Sequence, residues 1–80
     1  MGKHYKILCV NSGEVYDNAA SAARALNVSE STISYHLKGR TKFVSGTLFL
    51  VQLSGYETAE DIERIRRVHL KRIFKIDLGV

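Results

Sequence analysis

Two runs of apolar positions, rich in β-branched and aromatic side chains, predict β-strands. The run YKILCV at residues 5–10 is followed by turn-forming residues at 11–14 and becomes apolar again at Val15 and Tyr16, which predicts a short hairpin. The run TLFLVQL at residues 47–53 is apolar on both of its alternating sides. We therefore expect a strand that is covered on both faces and pairs with the N-terminal strand.

Between these strands the pattern predicts two short helices joined by a tight turn. The alanine-rich segment NAASAARAL spans residues 18–26, and either Asp17 or Asn18 can accept the free amide protons at its start. Asn27 tolerates the left-handed conformation that turns the chain after Leu26.

The second helix has a narrow apolar stripe. Ser29 is a favourable N-cap, and we expect the helix to run to about Lys38, where Gly39 ends it. The side chains predicted to face the core are Val28, Ile33 and Leu37. All other side chains of this helix are expected to face outward.

The last third of the chain predicts a long amphipathic helix from Ala59 to about Ile76. Thr58, followed three residues later by Asp61, has the pattern of a capping box. One stripe of this helix is apolar and consists of Ala59, Ile62, Ile65, His69, Leu70, Ile73 and Ile76. The opposite stripe is basic and consists of Arg64, Arg67, Lys71 and Lys75.

Length and charge narrow the class of protein. The 80-residue chain has a formal net charge of +4 and a hydrophobic fraction of 45%, which predicts one domain, residues 1–80. Within it, residues 7–53 form a strand and helix module and residues 58–76 form the C-terminal helix. The basic excess would attract a polyanion such as nucleic acid, although a charge of this size also suits an ordinary surface.

The single cysteine and the hydropathy pattern predict where the protein resides. Cys9 lies in an apolar run and cannot form an internal disulfide, which favours a reducing compartment. The sequence contains neither a membrane-spanning apolar segment nor a signal-peptide pattern. We expect an intracellular, cytoplasmic protein that makes no contact with membranes.

The two short helices have the spacing of a DNA-binding helix-turn-helix, in which Ala22 and Ala23 would let the helices cross closely. The outward hydroxyl groups of the second helix can donate to phosphate oxygens and base edges. The candidate groove-facing residues are Ser31, Thr32, Ser34 and Tyr35. The candidate phosphate-neutralising residues are Lys38, Arg40 and Lys42. The same pattern also suits any two packed helices with a soluble outer face.

A family resemblance strengthens the DNA-binding interpretation. Residues 28–39 read V-S-x-S-x-I-S-x-x-L-K-G, and further matching positions are Gly13, Tyr16, Ala22, Ala23, Leu26, Arg40 and Gly46. With these residues, the segment 7–50 resembles the nuclease-associated modular domain, also called the intron-encoded nuclease repeat motif. That family occurs beside the catalytic domains of homing endonucleases and in small phage proteins.

The resemblance implies a DNA-binding helix-turn-helix between short strands, with the second helix on DNA. The DNA-facing positions that it implies are Ser29, Ser31, Thr32, Ser34, Tyr35, Lys38 and Arg40. Asn27 stands where the family usually has a glycine. The resemblance also implies a phage or mobile-element protein, for which the expected location is the host cytoplasm.

No arrangement of residues predicts catalysis. His4, His36 and His69 lack metal-ligand spacing, the carboxylates cluster only at the start of the last helix, and no glycine-rich phosphate loop occurs. We therefore predict a protein that is not an enzyme and uses no cofactor or metal. His36 is expected to border the helix crossing, and His69 to be a hydrogen-bonded buried or interface histidine.

The last helix leaves several interpretations open. Its basic stripe suits a solvated face, a second phosphate-contacting surface or a surface that meets an acidic protein. Its apolar stripe is wider than so small a core needs, so part of it is a candidate homodimer interface.

Together the patterns predict a small α+β fold: a helix-turn-helix flanked by short antiparallel β-strands, with a C-terminal amphipathic helix. The leading function is non-catalytic binding of double-stranded DNA in a regulatory or accessory role, such as transcription regulation. The alternative is a small interaction protein that binds and modulates a host protein through its C-terminal helix.

Overall fold

The structure is a computed structural model that describes residues 5–75. Its strands are β1 (Ile7–Cys9), β2 (Val15–Tyr16) and β3 (Leu50–Gln52), and its helices are α1 (Ala19–Leu26), α2 (Glu30–Leu37) and α3 (Ala59–Phe74). His4 and the predicted helix residue Ile76 lie outside the described residues.

The strands form one antiparallel sheet in the order β2-β1-β3. Leu8 of the central strand pairs with Val15 of β2 on one side and with Val51 of β3 on the other. The α+β fold class and the predicted pairing of the first and last strands are thereby confirmed. Because β1 has a neighbour on each side and a helical layer on each face, all three of its residues are buried.

The two faces of the sheet support two separate cores, since successive strand residues point to opposite faces. Ile7, Cys9 and Leu50 pack with Ile33 and other residues of the helix-turn-helix. Leu8, Val10 and Leu53 pack with Leu70 of α3. The sheet therefore lies between the α1–α2 pair and α3, and the prediction that the last strand is covered on both faces is confirmed.

The strand β3 is shorter than the apolar run at residues 47–53 predicts. The side-chain amide of Asn11 accepts a hydrogen bond from Phe49 N at 2.9 Å and donates one to Thr47 O at 2.9 Å. Asn11 thus takes the place of a neighbouring strand before Leu50. An isolated bridge between Val44 and Leu48 also turns the chain back on itself just before the strand.

The ends of α1 and α2 follow their local sequence signals. Asn18, rather than Asp17, caps α1, because its Oδ1 accepts a hydrogen bond from Ser21 N at 2.8 Å. Asn27 ends α1 in the predicted left-handed conformation, with φ 59°. Gly39 follows α2 with φ +85°, as expected for a glycine just past a helix end.

The start of α3 is held by two acidic side chains. Thr58 and Asp61 form the predicted capping box, with both side-chain-to-backbone bonds at 3.1 Å. Just before it, the carboxylate of Glu57 accepts hydrogen bonds from Ser54 N and Gly55 N at 2.9 and 3.0 Å. These backbone bonds, chiefly the one from Ser54, lower the pKa of Glu57 to about 2.

The helix α3 ends at Phe74, and Lys75 follows with φ 59°. The predicted end at about Ile76 lies outside the described residues. No described helix is long and apolar enough to cross a membrane.

An arginine fastens α3 to the end of β1. Arg66 donates from Nε to Val10 O at 2.8 Å and from Nη2 to Asn11 O at 3.2 Å. No sequence pattern separates Arg66 from the other basic residues of the helix. Its two bonds join the C-terminal helix to the end of β1.

Candidate nucleic-acid interface

The helices α1 and α2 cross at small residues and expose the far side of α2. Ala22 and Ala23 are buried in the crossing, as predicted, and Ile33 lies beneath them with no exposed surface. A three-residue turn, residues 27–29, joins the helices. This is the arrangement of a helix-turn-helix, in which the second helix is presented to a partner.

The outer stripe of α2 consists of four polar side chains at the spacing i, i+3, i+4 and i+7, which is one face of an α-helix. These residues are Ser31, Ser34, Tyr35 and Lys38. Tyr35 is 48% exposed, Ser31 and Lys38 are exposed, and Ser34 is half-buried. The structure therefore places four of the eight candidate DNA-contacting residues on one continuous surface.

Ser29 and Thr32 occupy the N-terminal end of the same helix. Ser29 Oγ accepts a hydrogen bond from Thr32 N at 3.2 Å, and the two hydroxyl oxygens are 2.9 Å apart. Both hydroxyls are thus engaged in capping α2. Their local role leaves less hydrogen-bonding capacity for a ligand than Ser31 or Ser34 retains.

Arg40 adds a positive charge to the outer stripe. Its backbone N donates to Tyr35 O at 2.9 Å, which folds the chain back over the end of α2. Its guanidinium carbon then lies 5.7 Å from the centroid of the Tyr35 ring, within the range of a cation–π contact. Arg40, Tyr35 and Lys38 therefore form the charged end of the surface.

Lys42 lies to one side of this stripe, over a different ring. Its Nζ is 5.6 Å from the centroid of Phe43. The Phe43 ring is in turn 5.7 Å from the ring of Phe74, at the last turn of α3. Lys42 consequently borders the C-terminal end of α3 as well as the end of α2.

His36 corrects the prediction that only the Val28, Ile33 and Leu37 stripe of α2 faces the core. His36 is only 5% exposed, and its Nε2 accepts a hydrogen bond from Leu50 N at 2.9 Å. It also packs edge-on against Phe49, with ring centroids 4.8 Å apart. Its position three residues after Ile33 is the sequence signal that it shares the buried face.

A groove of about 520 Å³ lies between the end of α2 and the second half of α3. Its lining includes His36, Lys42, Phe49, Gln52 and His69. His69 donates from Nδ1 to Ile65 O at 2.8 Å within α3, so it is hydrogen-bonded, as predicted. Among residues 5–75, no group of three or more metal-binding side chains is gathered there or elsewhere.

The basic face of α3 is on the other side of the sheet from α2. Arg64 forms an ion pair with Asp61 at 3.3 Å, and Arg67 forms one with Glu63 at 3.2 Å. Lys71 and Lys75 are exposed. The two arginines are thus partly neutralised within their own helix, unlike the basic residues that follow α2, for which no ion pair occurs within residues 5–75.

The fold and the exposed face of α2 define this part of the chain as a helix-turn-helix module. A family model for the NUMOD1 domain, a nuclease-associated modular domain, matches residues 11–37 and confirms the resemblance. The matched residues comprise β2, α1 and α2, and end just before Lys38. No curated protein and no solved structure matches the chain.

Proposed function

We propose that this protein binds double-stranded DNA without catalysing a reaction, with α2 lying in the major groove. The observation that carries the proposal is the outer stripe Ser31, Ser34, Tyr35 and Lys38, which Arg40 extends over the Tyr35 ring. The match of residues 11–37 to a nuclease-associated module supports DNA binding in general.

In this arrangement the basic side chains and the hydroxyl side chains make different contacts with DNA. Lys38 and Arg40 neutralise backbone phosphates, which supplies most of the affinity and makes it sensitive to salt. The hydroxyls of Ser31 and Ser34 are short enough for the helix to approach base edges, where they can donate or accept hydrogen bonds. Ser29 and Thr32 keep the first turn of α2 in place, and Lys42 contacts phosphate beside the groove.

A regulatory or accessory role follows from this mode of binding, since the side chains that contact DNA hold and position rather than react. We propose that the domain marks or occupies a DNA site, as an accessory module of a phage or mobile element would.

The test is a fluorescence-anisotropy titration of duplex DNA at several salt concentrations. We expect the wild-type protein to bind with an affinity that falls as salt rises. Lys38→Glu combined with Arg40→Glu should abolish measurable binding, because each phosphate contact contributes about 0.9 to the slope of log K against log salt, and two are reversed. Absence of salt-dependent binding by the wild type would refute the proposal.

The matched control is Arg67→Glu combined with Lys71→Glu, which changes the net charge by the same amount on the exposed face of α3. We expect it to retain the salt slope of the wild type.

A second candidate function uses α3 as a surface for an acidic host protein. It is favoured by the exposure of Lys71 and Lys75 and by Val68, which is 46% exposed on the same helix. Loss of host-protein binding in the Arg67 and Lys71 variant, together with full host-protein binding in the Lys38 and Arg40 variant, would favour this candidate. Measuring the mass in solution at the same time would test the predicted homodimer through α3.

A further inference from the structure

His36 forms two hydrogen bonds that require opposite roles from its two ring nitrogens. Nε2 lies 2.9 Å from Leu50 N, and a backbone N–H can only donate, so Nε2 carries no proton. Nδ1 lies 3.2 Å from Thr41 O, and a carbonyl oxygen can only accept, so Nδ1 carries the proton. The ring is therefore held in one tautomer by its two partners.

The bond to Leu50 attaches α2 to the outer edge of the sheet. In the β1–β3 ladder, Val10 N donates to Phe49 O and Leu53 N donates to Lys6 O. Along an antiparallel strand, every second residue forms its backbone hydrogen bonds with the same neighbouring strand. Phe49 and Leu53 bond to the β1 side, so Leu50, next to Phe49, directs its N–H away from β1. His36 supplies the acceptor for this buried donor, which would otherwise be costly to leave unpaired.

The bond to Thr41 holds the chain that follows α2. Thr41 lies between Arg40 and Lys42, the two basic residues predicted to meet phosphates beyond the helix. Both neighbours are exposed. The hydrogen bond to the Thr41 carbonyl therefore links the buried His36 side chain to this exposed segment.

We propose that His36 is a positioning residue for DNA binding, which holds residues 40–42 against the end of α2 so that Arg40 and Lys42 meet the phosphate strand. The proposal rests on the proposed function, since it concerns the same surface. His36 itself is buried and touches no DNA.

Two conservative variants separate the two bonds. In His36→Gln the amide oxygen can reach the Nε2 position and accept from Leu50 N, but nothing donates to Thr41 O. In His36→Asn the amide nitrogen can occupy the Nδ1 position and donate to Thr41 O, but the Leu50 donor loses its acceptor. His69→Gln is the matched control, because His69 lines the same groove yet bonds only within α3.

The first measurement is the salt dependence of DNA affinity. We expect His36→Gln to lower the slope of log K against log salt by up to about 2, because Arg40 and Lys42 lose their fixed phosphate contacts. His36→Asn and His69→Gln should keep the wild-type slope. If His36→Gln and His36→Asn weaken binding equally with the slope unchanged, His36 only stabilises the fold and the proposal is overturned.

The second measurement needs no DNA. The Arg40 amide, which donates to Tyr35 O, should exchange with solvent about tenfold or more faster in His36→Gln, because a 1.4 kcal/mol weakening of the local structure is a factor of ten. It should stay protected in His36→Asn. Unchanged Arg40 exchange in His36→Gln would overturn the anchoring of residues 40–42. Faster exchange combined with a wild-type protein that binds no DNA would instead refute the proposed function and leave the anchor standing.

Discussion

Gly13 and Arg66 are in contact although they belong to opposite ends of the described chain. A Cβ placed on Gly13 would lie 3.3 Å from Arg66 Nε, which is closer than most such contacts. The same guanidinium bonds to the carbonyls of Val10 and Asn11. The absence of a side chain at Gly13 therefore lets the hairpin turn and α3 meet.

We expect Gly13→Ala to destabilise the fold more than Gly46→Ala. The two glycines have nearly the same φ, +83° and +87°, so an alanine at either position incurs a backbone strain of about 1–2 kcal/mol. Only at Gly13 must Arg66 also move, which we expect to add about 1 kcal/mol. Urea denaturation of both variants measures the difference. Equal losses in the free energy of unfolding would show that the contact with Arg66 does not affect stability.

Arg66→Met should lower the free energy of unfolding by about 1–2 kcal/mol, since hydrogen bonds from a charged group contribute on this scale and Arg66 is only half-buried. Arg67→Met is the matched control on the next residue, where an exposed ion pair contributes only about 0–1 kcal/mol. Hydrogen exchange should show faster opening of α3 in the Arg66 variant alone. Similar exchange in both variants would contradict the role given to Arg66.

Ile33→Asp should unfold the domain. Ile33 has no exposed surface, and burying an unpaired carboxylate there costs more than a small domain can offset. Ser31→Asp, two residues earlier in α2, puts the same carboxylate on the exposed face near a helix N-terminus, where it is favourable. Circular dichroism should lose its helical signal for the first variant and keep it for the second. A native spectrum for Ile33→Asp would be inconsistent with the core described above.

The loop before α3 should lose stability in acid. The pKa of Glu57 is lowered from 4.5 to about 2 by backbone hydrogen bonds. A lowered pKa contributes stability that is fully present above the unfolded value of 4.5 and disappears as the pH falls towards 2. Thermal melting of the wild type and of Glu57→Gln should thus differ most at neutral pH and converge below pH 4.5. A gap between the two melting temperatures that is constant down to pH 2 would contradict this assignment.

Much of the local structure could be predicted because its causes lie within a few residues. Asn18, Ser29 and Thr58 cap the helices that follow them, and each accepts a hydrogen bond from an amide three residues ahead. Asn27 takes the left-handed conformation because its own side chain permits it. The outer stripe of α2 also follows from the helical period alone.

Two tertiary contacts, one beside the candidate site and one at α3, escaped prediction because the partners are far apart in the chain. His36 bonds to an amide 14 residues away, and neither residue signals the other in the pattern of apolar positions. Arg66 looks like any basic residue of an amphipathic helix until it meets a carbonyl 56 residues away. The shortening of β3 has the same origin. Asn11 forms hydrogen bonds with Thr47 and Phe49, which lie 36 and 38 residues further along the chain.

By itself, then, the amino-acid sequence determined where the helices start, the two-faced last strand, the close crossing of α1 and α2 and the polar outer stripe of α2. These depend on backbone conformation, helical period and side-chain size, which act over short distances. Only the tertiary structure decided which buried amide donates to His36, which arginine joins α3 to the sheet, and that α2 and α3 pack on opposite faces of that sheet. Those features depend on which buried backbone groups still need a hydrogen-bond partner once the strands have paired, and this is known only after the chain has folded.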